Sequence, residues 1–428
     1  MRKKAGNRAR RRKKTRINIA RLTVFLAICV VLAGVGIFAL VKLMPSQEAV
    51  PASAVPEETQ ASTITIGNAG DVIIHSPFLK SSTYKKDGDY DFSPAFTYVK
   101  DLYESYDFMT INLETTLPGK EAGYSGYPMF KSPDSLASAL TANGTDLLLL
   151  ANNHIYDSGS SGFLRTSQYL AEQGILYTGA RHSDEEKKYL IHEIEGIDIG
   201  FVNYVYETPR SDDLKGINGN PMDSSVAPYL NSFDPNDREA FYAEMEENVA
   251  AMEADGAEFI IAYLHWGNEY QLEETDWQRE MAQRLCDMGV DAIIGGHPHV
   301  VQPVDVFTSD DGENTMFCAF SVGNQLSNQR REFVSLSTGH TEDGLIVSLE
   351  ITKDKKGDVS LTGAECVPTW VYKSNSGPTY YVLPLNDMGN LESVTGLSGI
   401  NSQVQSSYDR TNAIIGEGME KVKAAYGF

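Results

Sequence analysis

Cysteine is scarce in this 428-residue chain, and the positions of its four cysteines exclude the usual structural roles of this residue. Cys29 lies in a long apolar run, and Cys286, Cys318 and Cys366 have neither zinc-finger nor disulfide spacing. Cys286 falls in a predicted helix and Cys318 in an apolar predicted strand. We therefore interpret these cysteines as small, buried hydrophobic residues.

Acidic residues are absent from the first 44 positions, which carry twelve Lys or Arg. Residues 22–41 form an apolar run of 20 residues, the length that a helix needs to span a bilayer. The basic block before it would stay in the cytoplasm by the positive-inside rule. The sequence thus predicts a basic cytoplasmic arm (1–21), a single transmembrane anchor (22–44) in the cell membrane and a large extracellular domain.

A cleavable signal peptide is the alternative for this region. Its apolar part would usually have about 7 to 15 residues, and the Ala52-Ser53-Ala54 sequence lies well beyond the run. The length therefore favours an uncleaved anchor. The basic arm is also typical of nucleic-acid binding, but its position beside the apolar run favours a role in membrane topology.

Basic charge is sparse in the rest of the chain. The formal net charge is −22 with the twelve N-terminal cations included, so the remainder carries −34. Such a surface repels nucleic acid and anionic membranes. It disfavours simple binding of a polyanion, except in a cleft that is locally cationic or holds a metal.

Composition divides the extracellular part into three segments. Residues 45–62 are rich in Pro, Ala, Ser and Glu, which predicts a linker. Residues 63–375 alternate apolar strands with amphipathic helices, as in α/β domains, with a polar insertion over 208–232 that we expect to cover the site. Residues 376–428 are predicted as a C-terminal extension, in which a helix near 406–425 either packs on the domain or stays mobile.

Four predicted strands share one pattern, in which an acidic residue is followed by an apolar run and then by a candidate ligand. The strands start at Asp107, Asp146, Glu258 and Asp291. They lead to Glu114, to Asn153 and His154, to His265, and to His297 and His299. Since ligands bind beyond the carboxyl ends of strands in α/β sheets, we expect these side chains along one edge of one sheet.

The segment from Asp291 to His299 shows the pattern most clearly. We expect Gly295 and Gly296 to let the backbone turn where the strand ends, and Pro298 to restrict the backbone between the two histidines. Asp71, after the first strand, is a further candidate carboxylate.

Carboxylate, amide and imidazole ligands without cysteine are typical of a hydrolytic site for Zn, Mn or Fe. Two divalent ions about 3.5–4 Å apart would clamp the reacting oxygens and supply hydroxide at neutral pH. Glu114 would bridge the two ions, and His154 would donate a proton to the leaving group.

Six short motifs together resemble the CapA family of poly-γ-glutamate capsule proteins. They are Gly70-Asp71, Asn112-Leu-Glu114, Asn152-Asn153-His154 with Asp157 and Gly159, His265-Trp-Gly-Asn-Glu-Tyr270, Gly296-His-Pro-His299 and Ser321-Val-Gly-Asn324. They span about residues 64–324, in the order of the family. The resemblance implies a calcineurin-like metallophosphoesterase fold, a four-layer α-β-β-α sandwich.

The resemblance also implies roles for individual residues. One metal would be held by Asp71, Glu114 and His299, and the other by Glu114, Asn153, His265 and His297. His154, with Asp157 in the same motif, would be catalytic. Independently of the resemblance, we expect Trp266, Glu269, Tyr270 and Asn324 to contact substrate, although Trp266 and Tyr270 are equally compatible with the hydrophobic core.

The chain departs from the metallophosphatase pattern at two positions. The first carboxylate is normally followed two residues later by a histidine, whereas here His75 comes four residues after Asp71. In a straight strand these two would lie roughly 13 Å apart, so His75 is a ligand only if the chain turns at Ile73 or Ile74. Glu114 also stands where the bridging residue is usually Asp.

Two functions are consistent with these features. The first is a membrane-anchored extracellular hydrolase or transferase that acts on a γ-glutamyl amide or a phosphoester of a surface polymer. The alternative is a non-catalytic assembly, export or polymer-binding factor. In either case the expected partners are an anionic surface polymer or its precursor and other membrane proteins of the capsule machinery, and not nucleic acid. A binding module without metal would require the ligand pattern to be accidental.

Overall fold

Two β-sheets face each other at the centre of the computed structural model, which describes residues 61–212 and 214–428. The predicted arm, the predicted anchor and almost all of the predicted linker lie outside these residues. Among the described helices, none combines the length and the apolar character that a membrane span requires. The anchor therefore remains a prediction from the sequence.

The strands, in chain order, are β1 (Ser62–Val72), β2 (Lys85–Lys86), β3 (Asp89–Tyr90), β4 (Phe108–Leu113), β5 (Leu147–Leu149), β6 (Leu176–Thr178), β7 (Tyr189–Ile194), β8 (Ile197–Tyr206), β9 (Gly216–Ile217), β10 (Asn220–Pro221), β11 (Ser232–Phe233), β12 (Phe259–His265), β13 (Ala292–Gly296), β14 (Val304–Thr308), β15 (Thr315–Ala319), β16 (Asn324–Leu326), β17 (Asp343–Lys353), β18 (Val359–Lys373) and β19 (Tyr380–Pro384). The α-helices are α1 (Ser76–Lys80), α2 (Ser93–Phe96), α3 (Lys100–Tyr103), α4 (Ser135–Ala142), α5 (Gly159–Gln173), α6 (Glu239–Ala254), α7 (Asp276–Asp287), α8 (Leu391–Thr395) and α9 (Asn401–Tyr426). Single 3-10 turns cover Lys120–Ala122, Ala227–Tyr229, His340–Glu342 and Met388–Asn390.

The first sheet has the order β19-β18-β17-β1-β4-β5-β6, and the second has the order β11-β8-β12-β13-β15-β14. Short β16 pairs with the end of β1, next to Asp71, where β17 no longer reaches. β7 pairs with β8. The strands that carry the candidate ligands are parallel to their neighbours, β1 with β4 and β5 in one sheet and β12 with β13 in the other.

The acidic residue that precedes each of the four patterned strands sets the register of that strand against its neighbour. In every case the backbone N–H of the acidic residue donates to a neighbouring carbonyl, and its carboxylate accepts from the N–H of that same neighbouring residue. The pairs are Asp107 with Thr65, Asp146 with Met109, Glu258 with Asp198, and Asp291 with Ile260. The acidic residues thus fix the amino ends of the strands whose carboxyl ends carry the candidate ligands.

The secondary structure forms four layers in the predicted order of helices, sheet, sheet and helices. A hydrophobic cluster lies between each pair of neighbouring layers. Ile66 and Tyr263 belong to the cluster between the sheets. Phe163 of α5 packs against the outer face of the first sheet, and Met245 and Leu285 of α6 and α7 pack against the second. Because these strands are buried on both faces, their sequences are continuous apolar runs. The α/β class is therefore confirmed.

The helix predicted in the C-terminal segment packs on the domain. α9 places Ile415 and Val422 in the cluster between the two sheets. A Cβ atom at Gly418 would lie 1.6 Å from the carbonyl oxygen of Val304, so only glycine allows the helix to approach β14 this closely. Of the cysteines, Cys286 and Cys318 are fully buried as predicted, and Cys366 is partly buried.

Asp291 should make the stability of the fold depend on pH. Burial raises the pKa of Asp291 to about 7, against about 3.9 for an unfolded chain. The protonated carboxyl therefore favours the folded state, and its contribution is lost as the pH rises through 7. Asn keeps an oxygen that can accept from the N–H of Ile260, but it does not titrate. The free energy of unfolding of Asp291→Asn should therefore fall less between pH 5 and pH 8 than that of the wild type. Chemical denaturation at both pH values measures this difference, and equal losses would contradict it.

Candidate metal centre

The candidate ligands converge from both sheets, and the expectation of one edge of one sheet is wrong. Glu114 follows β4 of the first sheet, whereas His265 ends β12 of the second. Because strands of both sheets are buried on two faces, their sequences do not reveal to which sheet each belongs. The facing sheets bring the carboxyl ends of β1, β4, β5, β12 and β13 to one place.

Glu114 lies at the centre of this convergence. Its side chain is fully buried, and neither carboxylate oxygen has a hydrogen-bond partner among the described residues. One oxygen, Oε1, lies 3.8 Å from His265 Nε2 and 3.7 Å from His299 Nε2. Burial, followed by the nearby charge of Asp71, raises the pKa of Glu114 well above its ordinary value. The charged carboxylate is therefore favoured only with a cation beside it.

Asp71 orients His299 towards Glu114. Asp71 Oδ2 lies 3.0 Å from His299 Nδ1, which leaves Nε2 of this ring for a ligand. The other oxygen of Asp71 accepts a hydrogen bond of 2.7 Å from Asn112 Nδ2. Asn112 in turn accepts from Asn152, so buried amides support the carboxylate from behind.

His265 and Asn153, which were predicted as ligands of one ion, lie beside each other. His265 Nε2 lies 2.9 Å from Asn153 Oδ1 and faces Glu114. Burial, and then the neighbouring His297 and His299, lower the pKa of His265 well below its ordinary value. The ring is therefore neutral, as a metal ligand must be.

The two histidines after β13 have an unusual backbone conformation. His297 has φ of 97° and His299 has φ of 56°, which are positions that favour glycine. Gly295 instead allows a close approach, since a Cβ there would lie 1.9 Å from the carbonyl oxygen of Phe320. The expected turn thus falls on the histidines, not on the glycines. Strain of this kind persists only where surrounding contacts enforce it, and it concentrates at functional sites.

Two groups of side chains can each hold a metal ion. One consists of Asp71, Glu114 and His299, all buried, and the other of His297, His299 and the exposed Glu269. Within each group the ligand atoms lie within 4.8 Å of one another. Carboxylate and imidazole donors suit Zn, Mn or Fe, and the unpartnered oxygens of Glu114 fit a cation. The residues present therefore fit the divalent ions that the sequence predicted.

His154 is held by Asp157. His154 Nδ1 lies 2.7 Å from Asp157 Oδ2, which also accepts the backbone N–H of Phe130. The ring of Phe130 packs edge-on against His154 at 4.6 Å between centroids. One nitrogen of His154 is thus fixed, and Nε2 remains for chemistry.

His75 has a backbone hydrogen bond and belongs to neither ligand group. β1 ends at Val72, and His75 immediately precedes α1. Its Nδ1 accepts the backbone N–H of Asn328 at 3.2 Å, and burial lowers its pKa to about 3. It belongs to neither of the two ligand groups found among the described residues. Its role as a ligand remains a prediction.

A cavity of about 660 Å³ opens above the candidate ligands. His75, His154, Glu269, Tyr270 and His299 line it together with Asn218 and Asn220 of the polar insertion. The insertion therefore borders the site, as the sequence predicted.

Two residues predicted to bind substrate have structural contacts instead. Trp266 is fully buried, and its indole N–H donates to the carbonyl oxygen of Phe320, which favours the core alternative. Asn324 is also fully buried, and its Nδ2 lies 3.2 Å from the carbonyl oxygen of His299. Asn324 thus supports a candidate ligand from behind.

Asn112 and Tyr206 also contact the candidate ligands, although neither was predicted as a site residue. Asn112 lies two residues before Glu114 and belongs to one of the six motifs, which is the signal that the sequence offered for it. The ring of Tyr206 lies 4.7 Å from that of His297. Because Tyr206 ends β8, far from the ligands in sequence, no local pattern indicates it.

Comparison with known proteins identifies relatives of this chain. A family model described as bacterial capsule synthesis protein PGA_cap matches residues 65–329. The PGA biosynthesis protein CapA of Bacillus subtilis is 25% identical over 297 residues, which are 68% of this chain and 69% of that protein. The capsule biosynthesis protein CapA of Bacillus anthracis is 25% identical over 240 residues, which are 54% of this chain and 49% of that protein. The chain thus spans about half the length of the second relative.

A solved structure, the calcineurin-like phosphoesterase YfkN of Bacillus subtilis, aligns with 82% of this chain and 100% of that chain at 14% identity, with a TM-score of 0.39. The family model covers more than half of the chain and includes every predicted ligand from Asp71 to His299. It thereby confirms the resemblance seen in the sequence motifs. The chain belongs to the bacterial capsule synthesis protein family.

Proposed function

We propose that this chain is a membrane-anchored extracellular hydrolase or transferase of capsule biosynthesis that depends on two divalent metal ions. The observation that carries the proposal is the buried Glu114 carboxylate, which has no hydrogen-bond partner among the described residues and faces two imidazoles. A buried carboxylate without hydrogen bonds is strongly unfavourable unless a cation lies against it. The family of the chain supports the capsule context.

Asp71, Glu114, Asn153, His265, His297 and His299 would hold the metal ions, which are Zn, Mn or Fe. When bound, such ions supply a hydroxide at neutral pH and polarise the bond that is cleaved. Two of the histidine ligands are already in the neutral form that metal binding requires. Burial lowers the pKa values of His265 and His297 well below the ordinary range, so both rings stay neutral.

His154 would hold the proton for the leaving group at Nε2. Asp157 accepts from Nδ1 of the same ring, which orients the imidazole. Phe130 restricts the ring by edge-on packing. Because His154 lies in the wall of the cavity, this proton would lie beside a substrate bound there.

The lining of the cavity favours a γ-glutamyl amide as the bond that is cleaved or transferred. Asn218, Asn220, Asn328 and Gln329 offer neutral hydrogen-bond donors and acceptors, and the described lining contains no Lys or Arg. Amide groups and carboxylates of a γ-glutamyl polymer can bind to such donors. The name of the Bacillus subtilis relative, a PGA biosynthesis protein, agrees with this substrate class.

Residues 22–44 would form an anchor that holds the domain outside the cell. The formal charge of −34 beyond residue 44 would keep the domain away from the anionic membrane surface and from most of the polymer. Contact with an anionic chain would then be favourable chiefly at the metal centre.

Removal of metal should lower the melting temperature, because the buried Glu114 carboxylate then lacks a neighbouring cation. Divalent ions added to the chelated full-length chain should raise its melting temperature by several degrees, because ligand at 100 times Kd stabilises by about 2.7 kcal/mol. Glu114→Gln should abolish this rise. The metal-free variant should melt at or above the metal-free wild type at pH 8, since the variant no longer buries a second carboxylate beside Asp71. Thermal melts and metal analysis by mass spectrometry measure both effects.

Glu342→Gln is the matched control for this experiment. Glu342 is also buried, but its oxygens are paired with Arg330 and Arg331. This control should lower the melting temperature and keep the full metal content. A wild-type chain that binds no Zn, Mn or Fe would overturn the proposed function.

Loss of His154 should slow the reaction without loss of metal. His154→Gln should lower kcat for hydrolysis of γ-glutamyl oligomers about 10²–10⁴-fold, the usual contribution of a general acid or base. Metal content and KM should change little. Asp157→Asn should lower kcat by a smaller factor, because it removes only the orienting contact. Parallel assays with phosphoester substrates test the other bond class.

His182→Gln is the control, since His182 also pairs with a carboxylate, Glu186, but lies away from this cavity. Its kcat should equal that of the wild type. If the wild-type chain binds metal and polymer but turns over neither substrate class, the assembly or export factor becomes the better description.

A further inference from the structure

The loop after β12 brings an exposed carboxylate to two buried histidines. Glu269, His297 and His299 each offer a ligand atom, and these atoms lie within 4.8 Å of one another. Glu269 was predicted to contact substrate, and its sequence context gave no reason to place it with the histidines. The group differs from that of Asp71, Glu114 and His299 because one of its members reaches solvent.

Backbone contacts fix this loop to the segment that carries the histidines. The N–H of Trp266 donates to the carbonyl oxygen of Gly296, and the N–H of Tyr270 donates to that of Pro298 at 2.8 Å. Tyr270 itself has φ of 64°, a conformation that sets the course of the chain directly after Glu269. The position of Glu269 relative to the imidazoles is therefore determined by the backbone on both sides of it.

His297 supplies an independent indication of a ligand at this position. Its side chain is only 3% exposed, and Nδ1 has no hydrogen-bond partner among the described residues. A buried ring nitrogen without a partner is unfavourable, as it is for any desolvated polar atom. Tyr206 and His265 pack against the ring, so the imidazole cannot easily turn towards another partner.

We propose that Glu269 is a metal ligand and that, with His297 and His299, it forms an outer metal position. The inner position is that of Asp71, Glu114 and His299. The outer position is that of the second ion, so Glu269 joins the ligand set to which His297 already belongs with Glu114, Asn153 and His265. This inference rests on the proposed function and makes it more specific, since it predicts two positions of unequal accessibility. His299 belongs to both groups, which places the positions beside one another. The outer ion, with a ligand in contact with solvent, binds more weakly and exchanges first.

Metal titration of the full-length chain tests the inference. The chelated wild type, titrated with Mn²⁺ or Zn²⁺ by calorimetry, should bind about two ions per chain, one more tightly than the other. Glu269→Gln should weaken the weaker site by about tenfold or more, because loss of even an indirect partner of a metal ligand costs 10–100-fold. After dialysis, mass spectrometry should find about one ion per chain. Because Glu269 is exposed, the variant should fold, and circular dichroism checks this.

Two variants serve as controls. Glu273→Gln makes the same change of charge in the same loop, at an exposed carboxylate outside both ligand groups, and it should bind both ions as the wild type does. Glu269→His replaces the carboxylate with another ligand atom and should restore the second ion in part.

The outcomes separate the inference from the proposed function. Two ions bound by Glu269→Gln with wild-type affinity would overturn the role of Glu269 and leave the metal centre in place. Equal weakening by Glu269→Gln and Glu273→Gln would show a general effect of charge and would also overturn it. Absence of metal from the wild type would overturn both proposals.

Discussion

Burial of the Glu114 carboxylate is the constraint to which the rest of the site conforms. Desolvation of an ionised carboxylate costs several kcal/mol even after the protein relaxes, and no described residue donates a hydrogen bond to this one. Asp71 adds a second buried carboxylate beside it, which raises the pKa of Glu114 further. The neighbouring imidazoles of His265 and His297 are kept neutral by burial and do not offset this charge. The site is consequently arranged for positive charge that the side chains themselves do not supply.

Contacts far from the ligands keep this arrangement in place. The paired hydrogen bonds of Asp107, Asp146, Glu258 and Asp291 set the register at the amino ends of the strands. Register errors of one residue would turn the ligands within strands, Asp71 and His265, to the opposite face of their sheets. Where the strands end, close backbone contacts maintain the geometry. A Cβ at Gly70 would lie 2.0 Å from the carbonyl oxygen of Gly323, which leaves no space for a side chain beside Asp71.

The charge distribution suits a protein that handles an anionic chain without general attraction to it. The acidic surface disfavours nonspecific contact, and the cavity wall offers amides and tyrosine, not fixed cations. Selectivity would then depend on hydrogen-bond geometry near the ligands. His154, Asn218 and Tyr270 come from three separate segments that meet at this cavity.

The sequence by itself determined the α/β class and most of the candidate ligands. Each patterned strand carries its ligand beside an apolar run, and the residue types needed for metal binding are visible locally, as at Glu114, His265 and His297. The tertiary structure alone decided that β4 and β12 lie in different sheets, because strands buried on both faces look alike in sequence. It also decided that Trp266 belongs to the core and that Glu269 joins the histidines. These outcomes depend on contacts between distant segments, such as that of Tyr270 with Pro298, which leave no local pattern in the sequence.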